Sequence, residues 1–422
     1  MKQNRCNILI LFFTLAVVML GFGIVIPILP FYVEKFGASG SSLGLLMATF
    51  AVMQFIFAPM WGGISDRYGR KPVLIIGVMG NALSHLLFGL STQLWMLFVA
   101  RIMAGILSAA TMPTAMAYIA DSTSEEERGS GMGILRAAVG VGIIVGPGLG
   151  GWLSSISLSF PFYLAAILSA LAVLPIFLLM PESLPLEKRT HSEVGVCSTQ
   201  LSVLCQALCE PIGCLLLLSF LLSFGLTSFE GIFGLYALKL YGYGPERIGT
   251  IIVMIGVISA TMQSVLTGPL CRRWGEAYII KVSLVVCAIG FVLMLQAKSF
   301  HEVLLTVGFF IIGSSLLRPA VSSLISKRTT IAQGKALGLN NSFMSLGRIF
   351  GPACAGFLLD INISYPFISC AIIMLISFFI SIFWLEQEPL GLKHDEQKPL
   401  FPRRLSCYRP FSIYKTLFFF IR

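Results

Sequence analysis

The chain has 422 residues, 56% of them hydrophobic and only 11% charged. Soluble domains carry about 25% charged residues, so a mean hydropathy of +0.89 excludes an ordinary globular protein. The net charge of +10 suits basic loops held at a membrane face better than a nucleic-acid binder.

The apolar residues come in blocks of about 20, enough to cross the ~30 Å hydrocarbon core of a bilayer. A segment in lipid satisfies its own backbone hydrogen bonds as a helix, and the alternation of a transmembrane barrel is absent. Six helices are expected near 8–30, 43–62, 73–91, 95–119, 132–155 and 161–180. The first block follows Lys2 and Arg5 as a signal peptide would. It ends in Pro27-Ile28-Leu29-Pro30 with no small-residue cleavage site, so it reads as a retained first helix. A polar stretch follows, then six more helices near 213–237, 248–270, 278–297, 303–325, 338–359 and 366–386. The expected organisation is an all-α membrane protein of twelve helices in two pseudo-symmetric six-helix halves. One bundle covers 1–180, a cytoplasmic linker 181–211, a second bundle 212–386, and a basic cytoplasmic tail 387–422 lies on the inner leaflet.

With the N-terminus placed in the cytoplasm, the inner loops hold fourteen lysines and arginines, among them Arg67, Arg70, Lys71, Arg272, Arg273 and Lys327. The outer loops hold Lys35, Lys239, Arg247 and Lys298. This asymmetry supports an even number of spans with both termini inside. The halves also repeat. Gly62–Arg70 aligns with Gly268–Glu276 at an offset of 206, Pro113 with Pro319 at 206, and Gly44 with Gly249 at 205. Gly146, Pro147 and Gly151 align with Gly351, Pro352 and Gly356 at 205. An internal repeat of six helices lets two halves rock around a central site.

Four features carry chemistry. Gly62, Asp66, Arg67, Gly69, Arg70 and Lys71 form a G-x-x-x-D-R-x-G-R-K loop between the second and third helices. Glycine allows its tight turn, and Asp66 can pair with a base or cap a helix. In the second half Arg272 stands for Asp66 and Glu276 for Arg70, an inverted order read as a degenerate copy. Arg101, with Gly105, lies inside the fourth helix. A charge there costs roughly 2.5–3.5 kcal/mol, so it should face a cavity or a partner. The fifth helix carries Gly142, Gly146, Pro147, Gly150 and Gly151, small residues that allow close helix approach around a proline that permits a bend. Glu230 is the single acid well inside a span. Buried, it would have a raised pKa and could hold a proton, attract a cation, or pair with Arg101, Arg136, Arg318 or Arg348.

These residues resemble the major facilitator superfamily, and within it the twelve-helix drug:proton antiporters that include tetracycline exporters and bacterial multidrug pumps. The resemblance spans about 8–386 and includes the first-helix segment Gly21–Pro30 and the tenth-helix run Leu316–Ala320. It implies that Asp66, Arg70 and Asp121 latch one conformation, that Arg101 joins proton coupling, and that Glu230 is the seventh-helix acid of such pumps. Two departures stand out. Those pumps carry an acid where Ser314-Ser315 stands here, and tetracycline exporters carry a first-helix acid where this chain has Val18.

The leading reading is a proton-coupled exporter, an antiporter of amphipathic or cationic small molecules in a bacterial inner membrane. Its expected partners are a small molecule, protons and lipid; it is taken as a monomer, with the proton gradient as energy source and no cofactor. Phe22, Phe229, Phe233 and Tyr236 are candidate cavity aromatics. The alternative is a metabolite permease of the same fold, with Asn81, His85, Asn340, Asn341 and Arg348 as polar cavity groups; Arg136 and Arg318 are further cavity candidates. No Walker loop, G-x-S-x-G or H-E-x-x-H appears, so an ATP-driven pump or an enzyme is not expected. Cys197, Cys205, Cys209 and Cys214 lack paired spacing and nearby histidine, so no zinc site is expected.

Overall fold

The computed structural model describes residues 2–189, 204–208, 212–329 and 331–385. Most of the expected linker and the whole basic tail lie outside the described residues. Twelve helices are long and apolar enough to span a membrane. They are α1 (Cys6–Lys35), α2 (Gly40–Tyr68), α3 (Arg70–Leu90), α4 (Leu94–Ser122), α5 (Glu126–Leu153) and α6 (Phe160–Leu179). The second six are α7 (Gly213–Tyr241), α8 (Pro245–Trp274), α9 (Glu276–Met294), α10 (Phe300–Arg328), α11 (Gln333–Ile361) and α12 (Tyr365–Leu385). Each expected span is found, and most run several residues longer than hydropathy suggested.

Local chemistry sets the ends. Ser299 caps the start of α10, and Glu302 reaches back across it. The Glu302 amide donates to Ser299 Oγ at 3.3 Å, and the Glu302 carboxylate accepts from the Lys298 amide at 2.8 Å. The turns α2–α3 and α8–α9 pass through Gly69 (φ +106°) and Gly275 (φ +78°), equivalent positions 206 apart whose backbone suits glycine. α4 tightens into a 3₁₀ turn over Ser108–Ala110, and α8 widens into a π turn over Met262–Leu266.

Each half has its own packing. In the second, Phe229, Phe291, Phe310 and Phe367 interlock; the Phe291 and Phe310 ring centroids lie 4.6 Å apart. Two buried asparagines, one in each half, find partners. Asn81 donates to Ser169 Oγ at 3.0 Å, and Asn340 accepts from Ser219 at 2.6 Å while donating to Ser322 at 3.2 Å. The outward faces of α6 and α12 expose Phe177, Leu178, Phe379 and Phe383, the apolar surface lipid requires.

Candidate functional site

The two halves meet along two glycine seams. At the first, Gly44 of α2 lies against the backbone of Pro352 in α11, and Gly40 against Gly356. A Cβ on Gly356 would sit 3.1 Å from Gly44 Cα. At the second, a Cβ on Gly249 of α8 would sit 2.7 Å from the Pro147 carbonyl oxygen of α5, and one on Gly151 would sit 3.1 Å from Gly249 Cα. The sequence repeat is thus the same contact made twice, since Gly44 and Pro352 correspond to Gly249 and Pro147. Such backbone approach needs small residues on both sides. The fifth-helix glycines divide their work. Gly142, Gly146 and Gly150 face α1 in their own half, against Ala16, Leu20 and Ile24, while Gly148 and Gly151 face α8 across the seam.

One carboxylate reinforces the first seam. Asp360, in the last turn of α11, accepts from the Gly40 amide at 2.6 Å, the Ser41 amide at 2.8 Å and the Ser41 hydroxyl at 2.6 Å. These are free amides of the α2 N-terminus, where a negative charge is favoured. The repeat places Ser155 and Pro245 at the matching points of the second seam. Proline has no amide to donate, and a cavity lined by Ser154, Ser155, Gly244, Pro245 and Arg247 lies there. Sequence reading did not single out Asp360.

Toward the other end the halves part. A Cβ on Gly62 (α2), Gly129, Gly133 or Gly140 (α5), or Gly334 or Gly338 (α11), would meet nothing within 4 Å. The protein is closed at the Asp360 end and open at the Gly62 end.

The charged side chains expected inside the spans line the space between. On α11, Pro352 and Gly356 press on α2, and Arg348 lies one turn nearer the open end, exposed and with no ion-pair partner among the described residues. On α7, Gly234 abuts Pro30 of the first half, and Glu230 lies one turn nearer the open end. Arg136 and Asn341 lie at repeat-equivalent positions three turns before the two seam prolines, and both are exposed. Glu230 faces Arg318 of α10 at 4.0 Å, with 56% of the glutamate side chain and 40% of the arginine side chain exposed. The expectation of a buried Glu230 is therefore corrected: the parted halves leave it open to the cavity.

Arg101 is different. It is 2% exposed and has no carboxylate partner among the described residues. Its guanidinium carbon lies 5.5 Å from the Phe50 ring centroid and 5.6 Å from that of Phe88, with one amino group 3.1 Å from Met47 Sδ. Aromatic faces stabilise a desolvated cation by up to about 2 kcal/mol, and Arg101 Nε finds no hydrogen-bond partner.

The loop between α2 and α3 packs against the end of α4. Arg70 pairs with Asp66 at 2.5 Å and with Asp121 of α4 at 2.9 Å, and donates to Ser65 Oγ at 2.6 Å. Glu182, beyond α6, accepts from the Arg70 and Lys71 amides at 2.8 and 3.2 Å and so caps α3. Arg67 is exposed and stacks on Tyr68 with its guanidinium carbon 5.5 Å from the ring. The second-half loop is not a degenerate copy. Glu276 pairs with Lys327 of α10 at 2.5 Å and accepts from Ser323 at 2.9 Å. Glu276 and Lys327 each lie 206 residues after Arg70 and Asp121, so the same bridge stands with its charges exchanged.

Several cavity candidates fall elsewhere. Phe229, Phe233 and Tyr236 are buried in the second-half core at 3%, 4% and 2% exposure, because neighbouring helices surround α7. Phe22 is half-buried against Phe50, centroids 5.5 Å apart. Asn81 and Asn340 are held inside their halves, and His85 is buried with Nδ1 2.7 Å from the Asn81 carbonyl oxygen. Among the described residues no cluster of ligands suits a metal ion.

The profile of the Major Facilitator Superfamily matches residues 11–314 and 215–421. The chain belongs to the major facilitator superfamily. It is 32% identical over 388 residues to "Multidrug resistance protein 2" of Bacillus subtilis, covering 92% of this chain and 97% of that protein. With "Multidrug resistance protein 1" of the same organism it shares 33% over 393 residues, covering 93% and 99%. Its fold is similar to the crystal structure of a bacterial homologue of the human lysosomal transporter Spinster, titled inward-facing and unoccupied. The TM-score is 0.75 at 15% identity, covering 91% of this chain and 98% of that one. Membership makes this superfamily chain a secondary transporter, in a group of multi-pass membrane proteins rather than enzymes.

Proposed function

We propose that the chain is a proton-coupled exporter of amphipathic small molecules, working by alternating access as a monomer in a bacterial inner membrane. The observation that carries this reading is the pair of repeat-related seams, sealed at one end and parted at the other around Glu230. Positive-inside asymmetry assigns the parted end, with Arg70, Arg272 and Lys327, to the cytoplasm. The described state is then open inward. Rocking about the seams would expose the same cavity to the outside, with Glu230 exchanging its proton between the two states and Arg101 taking part in the coupling. Asp66, Arg70 and Asp121, already paired within the first half, would brace its cytoplasmic end for docking on the second half in the opposite state, in which the cytoplasmic ends meet. No cofactor is invoked; the proton gradient supplies the energy.

The relatives' printed names, both multidrug resistance proteins, support export. Of the polar groups a nutrient-permease reading would place in the cavity, Asn81, His85 and Asn340 are buried within the halves, while Asn341 and Arg348 are exposed. The test is efflux of fluorescent amphipaths of either charge from cells expressing the chain, with and without a protonophore, beside Glu230→Gln. Efflux that stops with protonophore and is lost in the variant is the expected result. Efflux indifferent to both would remove proton coupling through Glu230.

A further inference from the structure

The charges along the cavity do not balance. Away from the helix ends, the spans carry Arg101, Arg136, Arg318 and Arg348 against Glu230. Four positive groups and one negative sum to +3, and to +4 when Glu230 is protonated. The sign of the field is therefore the same in both protonation states, and low-dielectric walls focus it on whatever enters.

We propose that this cavity binds amphipathic organic anions, with Arg348 as the anchor for a carboxylate and Arg318 as its second arm. The inference rests on the reading of the chain as a small-molecule transporter and names its substrate class. Arg348 combines exposure with its place on the helix. It lies one turn from Pro352 on the stripe that faces the other half, with Glu230 and Arg318 as its charged neighbours and no ion pair within 4.0 Å among the described residues. Arg318 meets Glu230 only at 4.0 Å, and its Nε has no hydrogen-bond partner. A guanidinium offers a planar fork that matches a carboxylate with two parallel bonds. Arg101 is buried and adds field rather than contact. The half-buried Phe22 and Phe50 of the first half offer apolar surface for the rest of the molecule. A cation entering the same space finds one carboxylate, already beside Arg318, and a repelling field.

The test is equilibrium binding to the purified full chain in nanodiscs, with empty nanodiscs subtracted. Three probes share one fluorophore: dansylglycine (a carboxylate), dansylglycinamide (neutral) and dansylcadaverine (an ammonium). The expected result is dansylglycine bound about tenfold tighter than the amide. Arg348→Gln should cost that preference and leave the amide unchanged, which also reports an intact fold, and Arg348→Lys should restore part of it. In the unmodified chain benzoate should displace dansylglycine and benzylammonium should not. Glu230→Gln, which the transport reading expects to stop pumping, should keep dansylglycine binding, so the two readings fail separately. Equal or tighter binding of the amide or the ammonium overturns the proposal. So does absence of saturable dansylglycine binding, or a preference unchanged in both Arg348→Gln and Arg318→Gln.

Discussion

The Asp360 carboxylate accepts a 2.6 Å hydrogen bond from the amide of Gly40, 320 residues earlier in the chain and in the opposite half. With the two bonds from Ser41 it ties the end of α11 to the start of α2. Because these bonds join the halves, they exist only while that end is closed. Bonds to a charged acceptor contribute about 1.5–3 kcal/mol each when buried, and less when exposed as here. Asp360→Ala is therefore expected to favour opening of that end by roughly tenfold. Double electron–electron resonance between labels at Ala38→Cys and Ile363→Cys should show a new long-distance population. An unchanged distribution would remove the latch role. Ser41→Ala should show a smaller effect in the same direction.

The seams give a prediction that tests their equivalence. A Cβ on Gly44 or Gly249 runs into the backbone of the facing helix, which cannot rotate away as a side chain can. Gly44→Val and Gly249→Val should both disfavour the described state and cut transport by more than tenfold while the protein still inserts. Gly62→Val, at a position with open space, should leave this state's label distances unchanged. A large defect in one seam variant alone would break the equivalence.

The exchanged bridge is separately testable. Glu276→Lys should place two cations together and lower the thermal stability of the purified protein. Combining it with Lys327→Glu restores the order found at Arg70 and Asp121, and should recover most of the loss. The bridge is partly exposed, the Lys327 side chain at 62%, so the gain is on the order of 1 kcal/mol. A double variant no more stable than the single would show that the pairing itself contributes little.

Arg101 has a flat partner on two sides, so shape as well as charge counts. Arg101→Lys keeps the charge but replaces the broad guanidinium that lies over the Phe50 and Phe88 rings with a compact ammonium. It should lower transport severalfold with little change in the amount of folded protein. Wild-type transport in Arg101→Lys would mean that charge alone suffices.

The spans were legible because length and apolarity are one-dimensional properties, and the repeat because Gly44, Pro147, Gly249 and Pro352 fall at nearly one offset. Direction was less legible. α7 is apolar nearly all round, so its sequence could not tell that Phe229 and Tyr236 point into the second-half core while Glu230 points to the cavity. Exposure of Glu230 depends on the halves being parted, a property of the conformational state. Asp360 was hidden because its partners are backbone amides, which have no signature in sequence, and because it lies just past the hydropathic edge drawn at 359. The Glu276–Lys327 bridge was hidden by its reversed signs.

The clasp at one seam has no twin at the other. Where the repeat would put its counterpart, Pro245 lacks an amide, Ser155 lacks a carboxylate, and a cavity lies between them. The Asp360 end should therefore open lopsidedly, α8 peeling from α5 before α2 leaves α11. Early in that stroke the gap would be a slit along the α5–α8 seam, beside the cavity that holds Glu246 and Arg247, while the other seam stays clasped.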